Sequence, residues 1–217
     1  MAALKKQSLV DQIYDQIRTD IINLKMPLGG RLNVSELQEK FGISSTPIRE
    51  AINRLQKDGL VEYENNVGAR IMDLDDKDIY EINELAMTLH AAAVRFAMKK
   101  ADHEKMAKQI QTQIQKYKKS VAVEDRTKSI HDLIGIFYRN CGNSRLDANM
   151  SLLKGQQLML RNIYGNASDG KDNSADFERI YDAVLAGDAE GVIRALEDNE
   201  AKAIPVIIEA VKQSKAE

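Results

Sequence analysis

The sequence is poor in the residues on which several protein classes depend. Cys141 is the only cysteine among 217 residues, so an internal disulfide cannot form and a cysteine cluster for structural zinc is excluded. Histidine occurs three times, so a three-histidine metal site would need all of them to converge. No run approaches the roughly 20 consecutive apolar residues that cross a bilayer. We therefore expect neither a disulfide-stabilised protein, nor a zinc-ribbon protein, nor a membrane protein.

Catalytic motifs are also missing from the sequence. Gly29-Gly30 lacks the G-x-x-x-x-G-K arrangement of a phosphate-binding loop, and no G-x-S-x-G motif occurs. Cys141 follows His131 by ten residues, and a cysteine–histidine pair is conceivable, but an isolated buried cysteine is far more often structural. We expect no enzyme and no catalytic residue; turnover by the second half of the chain would revive that alternative.

What the sequence does contain is ordinary for a globular protein. Hydrophobic residues make up 43% and charged residues 29%, and the net charge of −2 argues against a uniformly basic nucleic-acid binder. Residues 1–72 carry a net charge of +1 and the remainder −3, an asymmetry too weak to decide function. Residues 1–6 are basic and no apolar signal core follows them, so we expect a cytoplasmic protein.

The first 72 residues alternate helix patterns with strong stop signals. Residues 8–24 form an amphipathic pattern that ends at Pro27 and Gly29-Gly30. After an extended piece at 31–34, the pattern predicts a short helix capped by Ser35 and ending at Gly42. A third helix, capped by Ser44 or Thr46, ends at Gly59. Strands at 60–63 and 69–72 flank turn residues at 65–68, which predicts a hairpin and, with the helices, a winged helix-turn-helix domain over 1–72.

The rest of the chain shows helical periodicity without strand patterns. One of the aspartates between Asp73 and Asp76 is expected to cap a long first helix, and Pro205 is expected to kink or split the last one. A polar segment from Gly165 to Ser174 reads as a loop. The fold class is therefore mainly α, with a six-helix domain over 76–217 whose helices are predicted at 76–99, 102–122, 124–140, 144–164, 175–186 and 188–213.

The third helix of the first domain carries the chemistry of a DNA-reading element. A helix that enters the major groove must show polar and basic side chains at its N-terminal turns, and this helix offers Ser44, Ser45, Thr46 and Arg49 there. Arg49 can donate two hydrogen bonds to guanine or to a phosphate, and small hydroxyls can approach phosphates closely. Gly68 and Arg70 at the hairpin can reach the DNA backbone or the minor groove.

These residues resemble the GntR family of bacterial regulators. The resemblance lies in an ordered series across the first 72 residues: Pro27–Leu32, Ser35-Glu36-Leu37, Gly42–Ile52, Leu55, Asp58–Val61 and Asn66–Ala69. It implies DNA contacts by Arg31, Thr46, Arg49 and Gly68. The family pattern has arginine where Ser45 stands and often a basic residue where Val67 stands, so the resemblance leaves the operator sequence open.

The second half resembles the all-helical effector domain, the FCD domain, of the FadR branch of that family, with the size of its VanR-type members. Many relatives bind a divalent metal there through an aspartate, a histidine four residues later and two further histidines, and the metal holds a carboxylate. Here those positions are Thr127, His131, Phe177 and Asn199, so the resemblance implies that the usual metal site is absent. We expect no metal and no cofactor.

A cavity between the helices remains the expected ligand site, because helical bundles commonly bind ligands in their cores. The candidate lining residues are His90, His131, Asn143, Arg161 and Asn199, and Arg161 could pair with an acidic effector. The resemblance implies a homodimer that reads an inverted-repeat operator on double-stranded DNA and is released by a small metabolite. The alternative is a DNA-binding dimer without an effector, whose helical domain serves only dimerisation.

Overall fold

The computed structural model describes residues 8–64, 67–168 and 172–216. The chain divides into two compact units, one ending at Leu74 and the other beginning at Asp75. The predicted turn residues Asn65 and Asn66, and residues 169–171 of the predicted loop, lie outside the described residues. Within the described residues, no helix has the length and apolar character required to span a membrane.

The N-terminal unit contains three helices followed by an antiparallel hairpin, as the sequence predicts. Its elements are α1 (Leu9–Ile22), α2 (Val34–Phe41), α3 (Ser45–Lys57), β1 (Val61–Glu64) and β2 (Gly68–Ile71). The hairpin register pairs Val61 with Ile71 and Glu64 with Gly68. Arg31 forms a further antiparallel bridge to Arg70, so the segment before α2 lies along the outer edge of β2. This arrangement is a winged helix-turn-helix.

The caps of two helices differ from the sequence prediction. Asn33, not Ser35, caps α2: its extended backbone lets the side-chain Oδ1 accept from the amide of Ser35 at 2.9 Å, which places Ser35 inside the helix. Ser44 holds the N-cap position of α3, but its hydroxyl makes no capping hydrogen bond. Thr46 lies inside α3 and is not its cap.

The C-terminal unit contains six helices among the described residues and no strand, as predicted. They are α4 (Asp76–Lys100), α5 (His103–Lys119), α6 (Val123–Asn140), α7 (Ser144–Ala167), α8 (Ser174–Leu185) and α9 (Ala189–Ala216). Asp75 caps α4 through a capping box with Asp78, within the aspartate run that the sequence marks.

One predicted boundary of this unit is wrong. Helix α7 continues through Gly165 to Ala167, so the loop is shorter than the sequence indicates. A Cβ at Gly165 would lie 2.4 Å from Cγ1 of Val123, so glycine here permits close packing of α7 against the start of α6 and does not end the helix. Of the two outcomes expected at Pro205, a kink or a split, the split does not occur, because α9 runs through Pro205 as one helix.

The core of the C-terminal unit forms where the long helices pack together. Helix α5 packs against α6 and α8, and α4 packs against α6, α7 and α9. Fully buried apolar side chains such as Ile110, Ile136 and Phe137 fill the contacts, and the rings of Tyr117 and Phe177 meet edge to face at 5.2 Å. Buried polar side chains on α4 and α7, among them Asn83, His90 and Gln157, interrupt this core and line cavities that are described below.

Candidate functional site

The first candidate site is the exposed N-terminal half of α3. Ser44, Thr46 and Arg49 are all exposed. Arg49 makes no side-chain hydrogen bond or ion pair with the described residues, and the unused hydroxyl of Ser44 lies one residue before the helix. Amide groups at a helix N-terminus attract phosphate, so hydroxyls, amides and a guanidinium are available together on one end of one helix.

The other face of α3 explains why this end is free. Ile48, Ile52 and Leu55 are fully buried against the rest of the N-terminal unit. Towards the C-terminal end, Arg54 pairs with Asp11 of α1 at 2.7 Å and stacks over the ring of Tyr14 at 4.5 Å. The apolar face and the C-terminal half of α3 are therefore packed against the rest of the unit, including α1, whereas the N-terminal turns of α3 remain open.

Tyr14 is part of the same brace. Its hydroxyl donates to a carboxylate oxygen of Asp58, the C-cap residue of α3. Burial, and next this hydrogen bond, raise the pKa of Tyr14 to about 12, so the hydroxyl keeps its proton at neutral pH.

The hairpin places its three predicted contact residues in different surroundings. Gly68 has a φ of +96° and open space where a Cβ would point, so a phosphate could approach its backbone. Arg31 is exposed and has no side-chain partner among the described residues. Arg70 is already engaged, because its Nη1 donates to Glu64 at 2.7 Å and its Nε donates to the carbonyl of Gly29 at 3.2 Å. The structure gives Arg70 a bracing role in the wing.

Asn53, which the sequence analysis did not select, joins α3 to the β1–β2 hairpin, the wing of the domain. The hydroxyl of Tyr63, on β1, donates to Oδ1 of Asn53 at 3.0 Å. Asn53 is exposed and lies four residues after Arg49, so both side chains share one face of α3. The i, i+4 spacing from Arg49 on a polar helix face is the sequence signal that could have identified Asn53. An asparagine on this face can form hydrogen bonds with the edge of an adenine base.

The second candidate site is a cavity of about 280 Å³ inside the C-terminal unit, between α4, α6 and α7. Its charged and titratable lining residues are His131, Asp132, Arg139, Asp147, Lys154 and Arg161, with His90, Tyr138 and Gln157 beside them. Two smaller cavities, of about 30 and 40 Å³, lie next to it. Arg161 lines all three cavities, so its side chain stands at their junction.

The structure brings most of the predicted effector residues to these cavities. His90, His131 and Arg161 line the large cavity, and Asn199 lines both small ones together with Arg161. Asn143 lines none of the three: its Oδ1 accepts from the amides of Arg145 and Leu146, each at 3.2 Å, and so caps α7. Lys154, Gln157 and Glu200 are cavity residues that the sequence analysis missed.

Burial controls the charges around Arg161. His90 is 4% exposed, and its Nδ1 lies 2.9 Å from the hydroxyl of Tyr138. Desolvation, followed by electrostatic repulsion from Arg161 and His131, lowers the pKa of His90 to about 3, so His90 is neutral at physiological pH. Burial raises the pKa of Glu200 to about 7, and the nearby Arg161 partly opposes that shift. Glu200, whose carboxylate interacts electrostatically with Arg161, is therefore only partly ionised at neutral pH.

The residues at the four metal-ligand positions do not fit a metal. Thr127, Phe177 and Asn199 line the 40 Å³ cavity, whereas His131 lines the 280 Å³ cavity. Among the described residues no three histidine, cysteine or acidic side chains lie close enough together to hold a metal ion. Phenylalanine offers no lone pair, and neutral threonine and asparagine oxygens are weak ligands for the transition metals that histidine prefers.

Two family models match the chain, one for each unit. Residues 9–71 match the model of the bacterial regulatory proteins of the gntR family. Residues 78–199 match the FCD domain, which by itself covers more than half of the chain.

Relatives among known proteins carry names of the same kind. The uncharacterized HTH-type transcriptional regulator YdhC of Bacillus subtilis is 32% identical over 136 residues, a match that covers 59% of this chain and 60% of that protein. A probable D-xylose utilization operon transcriptional repressor of Paenarthrobacter nicotinovorans is 28% identical over 208 residues, which cover 93% of this chain and 90% of that protein.

Solved structures agree with the fold over nearly the whole chain. A GntR-type protein from Rhodococcus sp. RHA1 matches with a TM-score of 0.76 at 20% identity and covers 92% of this chain and 97% of its own. McbR/YncC of E. coli matches with a TM-score of 0.73 at 17% identity and covers 93% and 98%. The chain therefore belongs to the gntR family of bacterial regulatory proteins with an FCD domain, and it is a DNA-binding transcriptional regulator.

Proposed function

We propose that this regulator is a homodimeric repressor whose hold on an inverted-repeat operator weakens when a small metabolite enters the cavity of its helical domain. The observation that carries the DNA half of the proposal is the open N-terminal end of α3, where Ser44, Thr46 and Arg49 are exposed. Repression is favoured by the relative named as an operon repressor, which aligns over 93% of this chain. We expect the protein to act in the cytoplasm, where its DNA target lies.

The effector half of the proposal rests on the 280 Å³ cavity. Its volume is near the lower end of the range of about 300–1,000 Å³ that is usual for small-molecule sites, so it suits a compact metabolite. Such a ligand can release the operator only if it binds the DNA-incompetent arrangement of the dimer more tightly than the competent one.

Arg49→Ala tests the recognition helix. We expect the substitution to cost about 1–3 kcal/mol of specific binding to the DNA upstream of the protein's own gene, because a bidentate contact to guanine is lost. Fluorescence anisotropy with specific and scrambled duplexes measures this cost.

Lys25→Ala is the control for Arg49→Ala, because Lys25 is also exposed in the N-terminal unit but lies in the turn after α1. Specific binding by the Arg49→Ala protein at the wild-type level would show that α3 is not the reading element.

The dimer is tested with two exposed leucines. Leu85, on α4, is 50% exposed and shares one helix face with exposed Phe96, eleven residues or three turns later; Leu152, on α7, is 57% exposed. Exposed apolar side chains on one face are typical of a subunit interface, so Leu85→Glu is expected to weaken the dimer. Leu152→Glu is the control.

Sedimentation velocity at decreasing concentration measures the effect. We expect the wild type and Leu152→Glu to stay dimeric while Leu85→Glu dissociates. A wild-type protein that sediments as a monomer, or a Leu85→Glu protein that stays as dimeric as the wild type, would contradict this assignment.

A further inference from the structure

The side chain of Arg161 is in an unusual position for an arginine inside a helical domain. It is partly buried on α7, and it makes no hydrogen bond or ion pair with any described residue. The carboxylate of Glu200 interacts with it electrostatically and lines the 30 Å³ cavity with it, but the two side chains form no ion pair. Burial without a partner costs free energy, so a guanidinium in this state is suited to receive a partner from outside the chain.

The large cavity holds further cations that are not used by the fold. Lys154 and Arg139 line it, and neither forms an ion pair among the described residues. Arg139 donates only to the backbone carbonyl of Asp132, at 3.3 Å. The absence of a side chain at Gly135 makes room for it, because a Cβ there would lie 2.9 Å from its Nη1.

The acidic residues of the cavity do not neutralise these cations. Asp132 and Asp147 line the cavity, but neither carboxylate is in an ion pair with Arg139, Lys154 or Arg161 among the described residues. Asp147 is exposed, whereas Gln157, next to Arg161, is buried and donates to Oδ1 of Asn83 at 3.3 Å. The lining of the cavity therefore contains both cations and carboxylates, but Arg161 forms no ion pair with either carboxylate among the described residues.

Arg161 lies next to the residues at the four positions where many relatives bind a metal ion. His131 lies on one of its cavities, and Thr127, Phe177 and Asn199 lie on another. Arg161 lines both cavities. A permanent positive charge is therefore present next to residues that together do not fit a divalent metal ion. A guanidinium and a metal ion share one property that matters for an acidic ligand, since both are positive charges that bind carboxylate or phosphate oxygens.

We propose that the cavity of the FCD domain binds a small carboxylate or phosphate directly on Arg161, with Lys154 as a second cation, and without a metal ion. This inference rests on the proposed function, because it names the chemical class of the effector. The guanidinium of Arg161 can donate two parallel hydrogen bonds to two oxygens of one anion, and Lys154 contributes a point charge. A cavity of about 280 Å³ admits a compact organic acid or a small phosphorylated metabolite.

The test uses the full-length protein after chelator treatment and measures binding of succinate, acetate and inorganic phosphate by isothermal titration calorimetry. Succinamide is the neutral match for succinate. We expect at least one anion to bind at concentrations up to ~10 mM, without a change when Zn²⁺ or Ni²⁺ is added, and succinamide not to bind. Binding of carboxylates but not phosphate identifies an organic acid; the reverse identifies a phosphate.

Arg161→Gln is expected to weaken anion binding about 10- to 100-fold, in line with the loss of charge-assisted hydrogen bonds. Arg161→Lys, which keeps the charge but not the fork, and Lys154→Gln are expected to weaken it less. Arg145→Gln is the matched control, because Arg145 is an exposed arginine of α7 that does not line the cavity. Glu200→Gln removes the internal carboxylate near Arg161 and is expected to tighten binding.

Three results would overturn the inference: no binding of any anion, equal binding by Arg161→Gln and the wild type, or binding that appears only after a metal is added. The wild-type protein is tested for specific DNA binding in parallel. If the wild-type protein binds specific DNA but no anion, only this inference is contradicted. If it binds neither, the proposed function is contradicted as well. Circular dichroism of each variant shows whether a loss of anion binding results from misfolding or from the altered site.

Discussion

The two candidate sites place an arginine in opposite surroundings. Arg49 is exposed to water at the N-terminal end of α3, and Arg161 is partly buried where three cavities meet. Neither has a side-chain partner among the described residues. In water an unpaired guanidinium is stable and common, so Arg49 is informative only within its ordered motif. In a protein core the same state costs free energy, so the unpaired state of Arg161 is itself informative about function.

The largest expected effect comes from core substitutions, one in each unit. Leu55 in the N-terminal unit and Phe137 in the C-terminal unit are both fully buried. Leu55→Ala is expected to cost about 2–5 kcal/mol and Phe137→Ala about 3–5 kcal/mol, because each leaves a cavity in a packed core. Hydrogen exchange followed by mass spectrometry assigns the loss of protection to a unit.

We expect the loss of protection to be largest in the unit that carries the substitution, because the cores of the two units are separate compact clusters. The two variants serve as each other's control. An equal loss in both units from either substitution would show that they unfold as one, and would remove the distinction between the two sites.

The next effect tests the electrostatics of the buried site through pH. The folded-state pKa of His90, about 3, lies below the unfolded value of about 6.5. Below about pH 6.5 the unfolded chain binds a proton at His90 that the native state refuses, so stability falls as the pH falls towards 3. At about pH 5 the loss from this group is about 2 kcal/mol, and it is absent above about pH 7.

The charged and titratable groups that line a cavity together with His90 come from three helices: His131, Asp132, Tyr138 and Arg139 from α6, Asp147, Lys154, Arg161 and Tyr164 from α7, and Glu200 from α9. Urea unfolding between about pH 5 and 8 measures the effect in the wild type and in His90→Gln, whose neutral amide can still bond to the Tyr138 hydroxyl. We expect the variant to lose less stability on acidification. Parallel pH curves for the two proteins would show that His90 takes up its proton as readily in the native state as in the unfolded chain.

The residues of the two candidate sites could be predicted from the sequence to different extents. The candidate DNA-contact surface depends on local signals, namely the start of a short helix, an exposed arginine and a glycine-containing hairpin, so the sequence pattern around Arg49 and Gly68 is enough to propose it. The engaged state of Arg70 was not predictable, because its partners Glu64 and Gly29 come together only in the folded hairpin. The contact between Asn53 and Tyr63 depends on the same tertiary step.

The cavity depends on long-range packing, so only some of its lining residues could be predicted from the sequence. Arg161 and His131 are recognisable as polar residues within helical patterns, but Lys154, Gln157 and Glu200 acquire their role only when α4, α6, α7 and α9 meet. Asn143 illustrates the reverse error, because an asparagine before a helix is first of all a cap, and here its side chain is used for that.

The smallest expected effect separates stability from DNA binding within the N-terminal unit itself. Asn33 and Ser44 hold the N-cap positions of α2 and α3, but only Asn33 makes a capping hydrogen bond. Asn33→Ala is therefore expected to cost about 1 kcal/mol of stability, and Ser44→Ala close to none.

If the free hydroxyl of Ser44 binds a phosphate, Ser44→Ala weakens DNA binding by a similar factor for specific and scrambled duplexes, because phosphate contacts carry no sequence information. Thermal unfolding and anisotropy on the same two variants measure both quantities. A stability loss in Ser44→Ala with unchanged DNA affinity would reassign Ser44 from a DNA contact to a helix cap, and would leave Arg49 and Thr46 as the contacts at the start of α3.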